Sequence, residues 1–569
     1  MDFEAPEKGR RREGGALIET PPRFSHALML DRDRKRNVAA LWSAGSAKGV
    51  VATAHYLATA AGVGALERGG NAIDAAVTAA LALGVCEPAG SGLGGMAMML
   101  VHLEGSRGTF AISGACRAPI AATPEAVAGT NRYRGYRAVA VPTNLSVLRY
   151  VLTRYGTMKP AAVLEPAIEL ADTGFPLTSL QQRNTAEYTR PLKEGNASAV
   201  FLDRDGEPFP AGFVFRQPAL SKTLRRLASA GLEDFYRGEI ATEICRDMRA
   251  HEGFVDREDL RAALEVQECL PLKAAFAGQD VLSLGPPAGG LALLQMLRMA
   301  SFLSPDERDM NRGEGVSRVA AIISRARTDR RKYRLRTLAD GAGDAIELLD
   351  DGYARRAVDA ALAEASMGVD ANTNTQASGE TTHLSVMDAA GNAVSLTQSI
   401  ERSFGAAVAT PTLGFLYNGY LRAFKVENER HPHYLRAGAP ARSNAAPTIV
   451  LRDGRAHACV GSTGSERMTS GIFEVLLRLA NGSAPFDAVH SPRLHCTPER
   501  KVIWEEDRFP HGLRDALLRH GFTVEAVEPY SFKMGGLHLA VRQDGQCVGV
   551  AEPRRDGAAG APLAIAKPG

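Results

Sequence analysis

Apolar and polar positions along this chain follow two periods. From Tyr56 to Val85, YLATAAGVGALERGGNAIDAAVTAALALGV reads as two Ala-rich helices parted by Gly69 and Gly70, the second apolar almost all round and therefore predicted to be buried. It ends in EPAGSGLGG, a Gly-rich loop, which runs into MAMMLVHL, an alternating strand. PTNLSVLRYVLTRYG, PAAVLEPAIELADTG and ALSKTLRRLASAG have helical spacing and stop at Gly. PPAGGLALLQMLRMASFL opens another apolar helix behind Pro and Gly. From His383 onward strands dominate: HLSVMD, NAVSLTQSI, TIVLRDG, HACVGS and LHLAVRQDGQCVGVAEP, with one helix, GIFEVLLRLANG, among them. SGLGG and PPAGG lack the Lys-Ser/Thr or strand-turn-helix context of a phosphate cradle and read as tight turns.

The stretch SGETTHLSVMDAAGNAVSLTQS holds the chemistry. Ala389, Ala390 and Gly391 form a three-residue hairpin connection, with Gly where such loops turn left-handed. That register pairs Asp388 with Asn392 and brings Thr381 opposite Ser399, within hydroxyl reach across the strands. A threonine hydroxyl is a weak nucleophile in mid-chain. As a chain N-terminus it gains its own α-amino group as a built-in base, so cleavage between Glu380 and Thr381 would create an active centre. On the fragment alone, two β-branched residues opening a strand have an equally good explanation in strand propensity. His383 falls on the opposite face from Thr382 and Leu384, and an N-terminal amine makes it unnecessary as a base.

Composition narrows the setting. The chain has 569 residues, 45% of them hydrophobic, and a formal net charge of +3 from 67 basic and 64 acidic residues, which recommends neither nucleic acid nor a membrane as partner. The seven cysteines are scattered without CxxC or zinc spacing and read as small core hydrophobes in a reducing compartment. Residues 1–45 alternate charges with Gly and Pro and read as a disordered leader without a signal peptide. No apolar run is long enough to span a bilayer. A cytoplasmic location is the expectation. His431 and His433, in HPH, lack a nearby third ligand and read as a solvated loop, so no metal and no cofactor is expected.

TTHLSVMDAAGNAVSLTQS resembles the start of the small subunit in the γ-glutamyltranspeptidase family of N-terminal nucleophile hydrolases, T-T-H-x-S-V-V-D-x-x-G-N-A-V. The similarity continues in order through GGNAIDAAVTAALALGVCEPAGSGLGGMAMMLV, LEPAIELADTGFPL, PPAGGLALLQML, RTDRRKY, APTIVLRDG, VGSTGSERM and FDAVHSPRLH. The resemblance implies an α+β fold, the αββα four-layer sandwich of two stacked antiparallel sheets between helical layers. It also implies self-cleavage before Thr381 into a large segment, 46–380, and a small one, 381–569, which remain one folded unit. By the same resemblance Thr381 is the nucleophile, Ser399 supports it, and the N–H groups of Gly464 and Ser465 in GSTGSER form the oxyanion hole. Ser465 replaces a glycine there, so a positive φ would cost it more. Ser443 and Asn444 match a Ser-Ser pair that binds the substrate carboxylate, and the region of HPH corresponds to a lid.

Departures from the family fall on glutamyl recognition. In SGACRAP, Ala115 replaces the arginine that grips the α-carboxylate, with Arg117 two residues on. In NGYLRAF, Arg422 and Ala423 replace two acids, one of which receives the α-ammonium, and Glu401 stands for an asparagine. An Arg in place of an acid repels an ammonium and favours a carboxylate. The leading expectation is an autoprocessing hydrolase or acyltransferase cleaving a small-molecule amide or similar acyl bond, with water or an amine as acceptor and an acyl group other than γ-glutamyl, such as an oxalyl or dicarboxylic half-amide. The alternatives are an ordinary γ-glutamyltransferase or glutathione hydrolase, an acylase or carbon–carbon bond hydrolase of secondary metabolism, and a matured but idle binding protein.

Overall fold

The buried Ala-rich helix, Ala72–Cys86, starts at a reciprocal cap: the Asn71 side chain accepts from the N–H groups of Ile73 and Asp74, and the Asp74 carboxylate returns to the Asn71 N–H. Every residue of this helix except Gly84 is buried. Helices can be apolar all round only when covered on all sides, and this one lies between Tyr56–Glu67, Pro160–Thr173 and a sheet. The computed structural model describes residues 42–105, 108–333, 338–364 and 380–563.

Two seven-stranded antiparallel sheets stack face to face. The first runs Ala558–Gly560, Gly49–Thr53, Glu380–Asp388, Ala393–Glu401, Met96–Leu103, Gly108–Gly114, Glu268–Cys269. The second runs Ser43–Ser46, Gln546–Val550, Leu537–Gln543, Arg455–Ser462, Thr448–Arg452, Gln279–Ser283, Leu272–Phe276. Tyr56–Glu67, Ala72–Cys86 and Asn144–Tyr155 cover the first sheet; Gly290–Ala300 and Arg467–Ala480 cover the second, with Gly313–Tyr333 and Asp351–Glu364 packed behind. This is the αββα sandwich. Both sheets contain strands from before and from after position 381.

The helices and strands foreseen from periodicity appear at their places, and the strand expected from His383 begins earlier, at Glu380. Residues 43–45 correct the expected leader: Ser43–Ser46 pairs with Cys547–Val550 as an edge strand. Backbone pairing stabilises these small residues although they have no apolar pattern. Residues 1–41 lie outside the described residues. Six of the seven cysteines are buried and unpaired, while Cys269 is exposed. His433 is buried rather than solvated. Among the described residues no helix is long and apolar enough to cross a membrane.

Candidate active site

The hairpin has the register counted from its turn. Pairs run from Met387 with Ala393 to Thr382 with Gln398, and a bulge then sets Glu380 against Glu401. Gly391 takes φ +100, and Asp388 closes the turn on Asn392 while its Oδ2 also accepts from the Ala72 N–H. That contact fixes the hairpin to the start of the buried helix. Alternation then divides the side chains. Gln398 reaches the Ala80 carbonyl on the helical face, whereas Ser385 and Ser395 donate to the His538 and Val460 carbonyls of the second sheet. Thr381 and His383 belong to this inter-sheet face. His383 is engaged at both nitrogens, by Thr397 and Ser385, and burial holds its pKa well below the usual value, so it is a neutral structural group.

Thr381 Oγ1 donates to Ser399 Oγ at 3.2 Å. Ser399 Oγ donates in turn to the Glu380 carbonyl at 2.8 Å and accepts from the Glu401 N–H at 2.9 Å. One serine hydroxyl therefore touches both the threonine oxygen and the carbonyl of the peptide bond preceding it. Thr381 is 2% and Ser399 1% exposed, so this relay works away from bulk water.

The turn before Arg467–Ala480 holds Gly464 at φ +100 and Ser465 at φ +56. Ser465 does adopt the left-handed conformation that costs a side-chain-bearing residue ~1–2 kcal/mol. Among the described residues neither N–H of this pair makes a hydrogen bond within the protein, so both remain available to an acceptor. Arg555 joins this turn to Glu380: its Nη2 donates to Thr463 Oγ1 at 3.0 Å and its Nη1 lies 3.6 Å from Glu380 Oε2. The guanidinium is buried over the Phe532 ring. No sequence pattern marked Arg555.

The expected recognition residues divide into two groups. Arg422 Nη1 meets Glu401 Oε1 at 2.7 Å, so the arginine at the family's acidic position is paired with the glutamate at its asparagine position. Glu401 sits at φ +84, and burial pushes its carboxyl up to about 7, against the opposing pull of Arg422, Arg402 and Arg134. The guanidiniums of Arg422 and Arg402 lie over the Tyr133 ring at 5.2 and 5.8 Å. The Ser443 Oγ accepts from the Ala445 N–H and its carbonyl from Arg330, and the neighbouring Asn444 Oδ1 is buried with no partner among the described residues. Tyr420, whose phenol burial pushes upward, has the Ser399 and Ser443 hydroxyls as neighbours and connects this segment to the relay. Arg117 stands apart. Its backbone bridges Val141 and Pro440, and its guanidinium has no partner among the described residues.

The model of the gamma-glutamyltranspeptidase family matches residues 58–561. The chain belongs to the gamma-glutamyltranspeptidase family. It is 30% identical over 482 residues to a glutathione hydrolase proenzyme of Pseudomonas sp. strain A14, covering 79% of this chain and 82% of the relative. It is also 30% identical over 547 residues to the acylase ACY 1 proenzyme of Pseudomonas sp. strain SE83, covering 92% and 94%. The crystal structure of cephalosporin acylase from Bacillus halodurans superposes with a TM-score of 0.82 at 27% identity, over 96% of this chain and all of that one. As a gamma-glutamyltranspeptidase-family member the chain is an enzyme of the N-terminal nucleophile hydrolase type, and its relatives bear both hydrolase and acylase names. Arg555 and Tyr420 join a group of residues that the sequence had outlined at Thr381, Ser399, Glu401, Arg422, Ser443, Asn444 and the 464–465 turn.

Proposed function

We propose that this protein cuts itself before Thr381 and then uses Thr381 as an N-terminal nucleophile to hydrolyse or transfer the acyl group of a small-molecule amide. The observation that carries this is the Thr381–Ser399–Glu380 relay. In maturation Thr381 Oγ attacks the Glu380 carbonyl carbon, which Ser399 polarises. The C–N bond breaks, the Oγ proton passes to the departing nitrogen, and water hydrolyses the resulting ester. In turnover the freed α-amine takes the Oγ proton, the oxygen attacks the substrate carbonyl, and the leaving amine receives the proton. The N–H groups of Gly464 and Ser465 are suited to stabilise the oxyanion. Proenzyme names among the relatives support processing, and strand interleaving supports two fragments that stay together.

For the acyl group we favour one bearing a carboxylate and no α-ammonium. Arg134, Arg402 and Arg422 surround the single Glu401 carboxylate, which leaves this flank of the relay positive. The pairing of Arg422 with Glu401 revises the simpler expectation of a free guanidinium reading the substrate alone. A γ-glutamyl reading has one observation in its favour: Glu401 Oε2 is buried without a hydrogen-bond partner among the described residues and is placed to accept an ammonium. Turnover of glutaryl- and γ-glutamyl-p-nitroanilide decides between them. The glutaryl amide should lead by at least about tenfold in kcat/KM, ~1.4 kcal/mol; a γ-glutamyl lead of that size establishes the other reading.

A further inference from the structure

Three stretches that the relay does not use meet elsewhere: the PPAGG turn, the last turns of the Gly313–Tyr333 helix and the HPH loop. They enclose a cavity of about 430 Å³, counted to its open mouth, a size that suits a small molecule. Leu291, Ala292, Leu348 and the Tyr333 ring give it apolar walls, while Arg330, Arg442 and His433 supply a basic side. None of the described residues that line it is acidic, and Thr381, Ser399, Tyr420 and Ser443 are not among them. Arg442 turns into the cavity, whereas the hydroxyl of the adjacent Ser443 neighbours Tyr420 and, through it, the relay. The cavity is thus a separate place, on another side of the Ser443 segment.

Arg330 is short of negative charge. Its Nη2 donates to the neutral Ser443 carbonyl at 2.5 Å, and among the described residues that is its one hydrogen bond. Burial, then Arg442 and Arg327, pull its pKa well below the ordinary value; Glu466 opposes them but is already paired with Arg327. Other nearby acids are likewise engaged. Asp329 accepts from Gln295, Arg325 and Tyr353, and Glu499 pairs with Arg331. Two guanidiniums facing a cavity whose described lining holds no carboxylate are relieved by an anion, and a guanidinium fork takes a carboxylate through two parallel hydrogen bonds. The apolar walls opposite offer such a ligand a place for hydrocarbon.

We propose that this cavity binds a carboxylate with a short apolar tail, its headgroup at Arg330 and Arg442 and its tail against Leu291, Ala292 and Leu348. The ligand is held there and not turned over, so the site stands whether or not Thr381 is the nucleophile.

Isothermal titration of the purified wild-type protein tests the chemistry. Hexanoate should bind at least about tenfold more tightly than acetate, which lacks the tail, or 1-hexanol, which lacks the charge. Acetate or hexanol binding as tightly as hexanoate, displacement of hexanoate by an equal concentration of inorganic phosphate, or absence of saturable binding overturns the proposal. Arg442→Gln should weaken hexanoate at least about tenfold, whereas Glu401→Asn with Arg422→Asp, at the relay, should leave it within about twofold. The reverse pattern would put the anion at the relay and overturn the site. A readout without any variant fixes the place: saturating hexanoate should slow phenylglyoxal labelling of Arg442 in the wild-type protein, followed by peptide mass spectrometry. Labelling at an unchanged rate overturns the site and leaves the Thr381 reading standing.

Discussion

Thr381 and Ser399 share a hydrogen bond, and under the proposed mechanism single substitutions separate their steps. Thr381→Ala should give an uncleaved chain with turnover reduced at least ~10³-fold, read by gel electrophoresis and amide hydrolysis. Thr381→Ser keeps a hydroxyl and an amine and should still cleave, more slowly. At the recognition flank, Glu401 and Arg422 must be changed together, because replacing Arg422 alone by an acid would set two carboxyl groups against each other. Glu401→Asn with Arg422→Asp should move the ratio of γ-glutamyl to glutaryl turnover at least about tenfold toward γ-glutamyl. An unchanged ratio would show that this pair does not read the acyl group. Thr381 and Ser399 were legible in sequence because a hairpin register follows from a turn and a count. The Glu401–Arg422 pair was not, since each departure from the family was visible but their contact depends on a loop closing over 21 residues.

At the scale of elements, the hairpin that carries Thr381 is held between a helix and a second sheet with little slack. A Cβ added at Gly461 would lie 2.2 Å from the His383 ring, which is locked by two hydrogen bonds and cannot swing away. Gly461→Ala should therefore cost about 1–3 kcal/mol and slow cleavage as the nucleophile strand shifts. Thermal denaturation and the time course of fragment appearance measure both; normal stability with normal cleavage would mean that the sheet spacing is not set here. The strands and the Ala-rich helices were readable from period alone. Arg555 was not, because its significance arises where the C-terminal segment meets Glu380, and periodicity carries no information about such meetings.

Over the whole molecule, buried ionisable groups set the pH at which the fold is most stable. Burial raises Glu401 to about 7 and Glu87 and Glu474 to about 8 from 4.5, so the folded state holds protons that the unfolded chain has released. Their contribution is full below pH 4.5 and is lost as pH rises through 7 and 8. Burial lowers His55 and His538 to about 3, His457 and His490 to about 4, and His383 and His495 well below 6.5. Their contribution is lost as pH falls below 6.5, and with His102 these seven imidazoles outnumber the six carboxyls that burial raises, Asp259, Glu380 and Asp556 being the other three. The melting temperature should peak near pH 6.5 and fall by about 2–5 °C toward pH 9. Glu474→Gln, which preserves the oxygen that accepts from the Leu494 N–H, should flatten the alkaline fall; an unchanged slope would assign it to other groups.

The first sheet places residues from both sides of the Glu380–Thr381 bond in adjacent strands, so cleavage there can release a new N-terminus without dismantling the fold. N-terminal sequencing of the smaller fragment of the purified protein tests this most directly. The fragment should begin Thr-Thr-His-Leu-Ser, with Thr381 first. A fragment beginning at Thr382 or elsewhere, or an intact chain that turns over amides, would place the nucleophile at another residue.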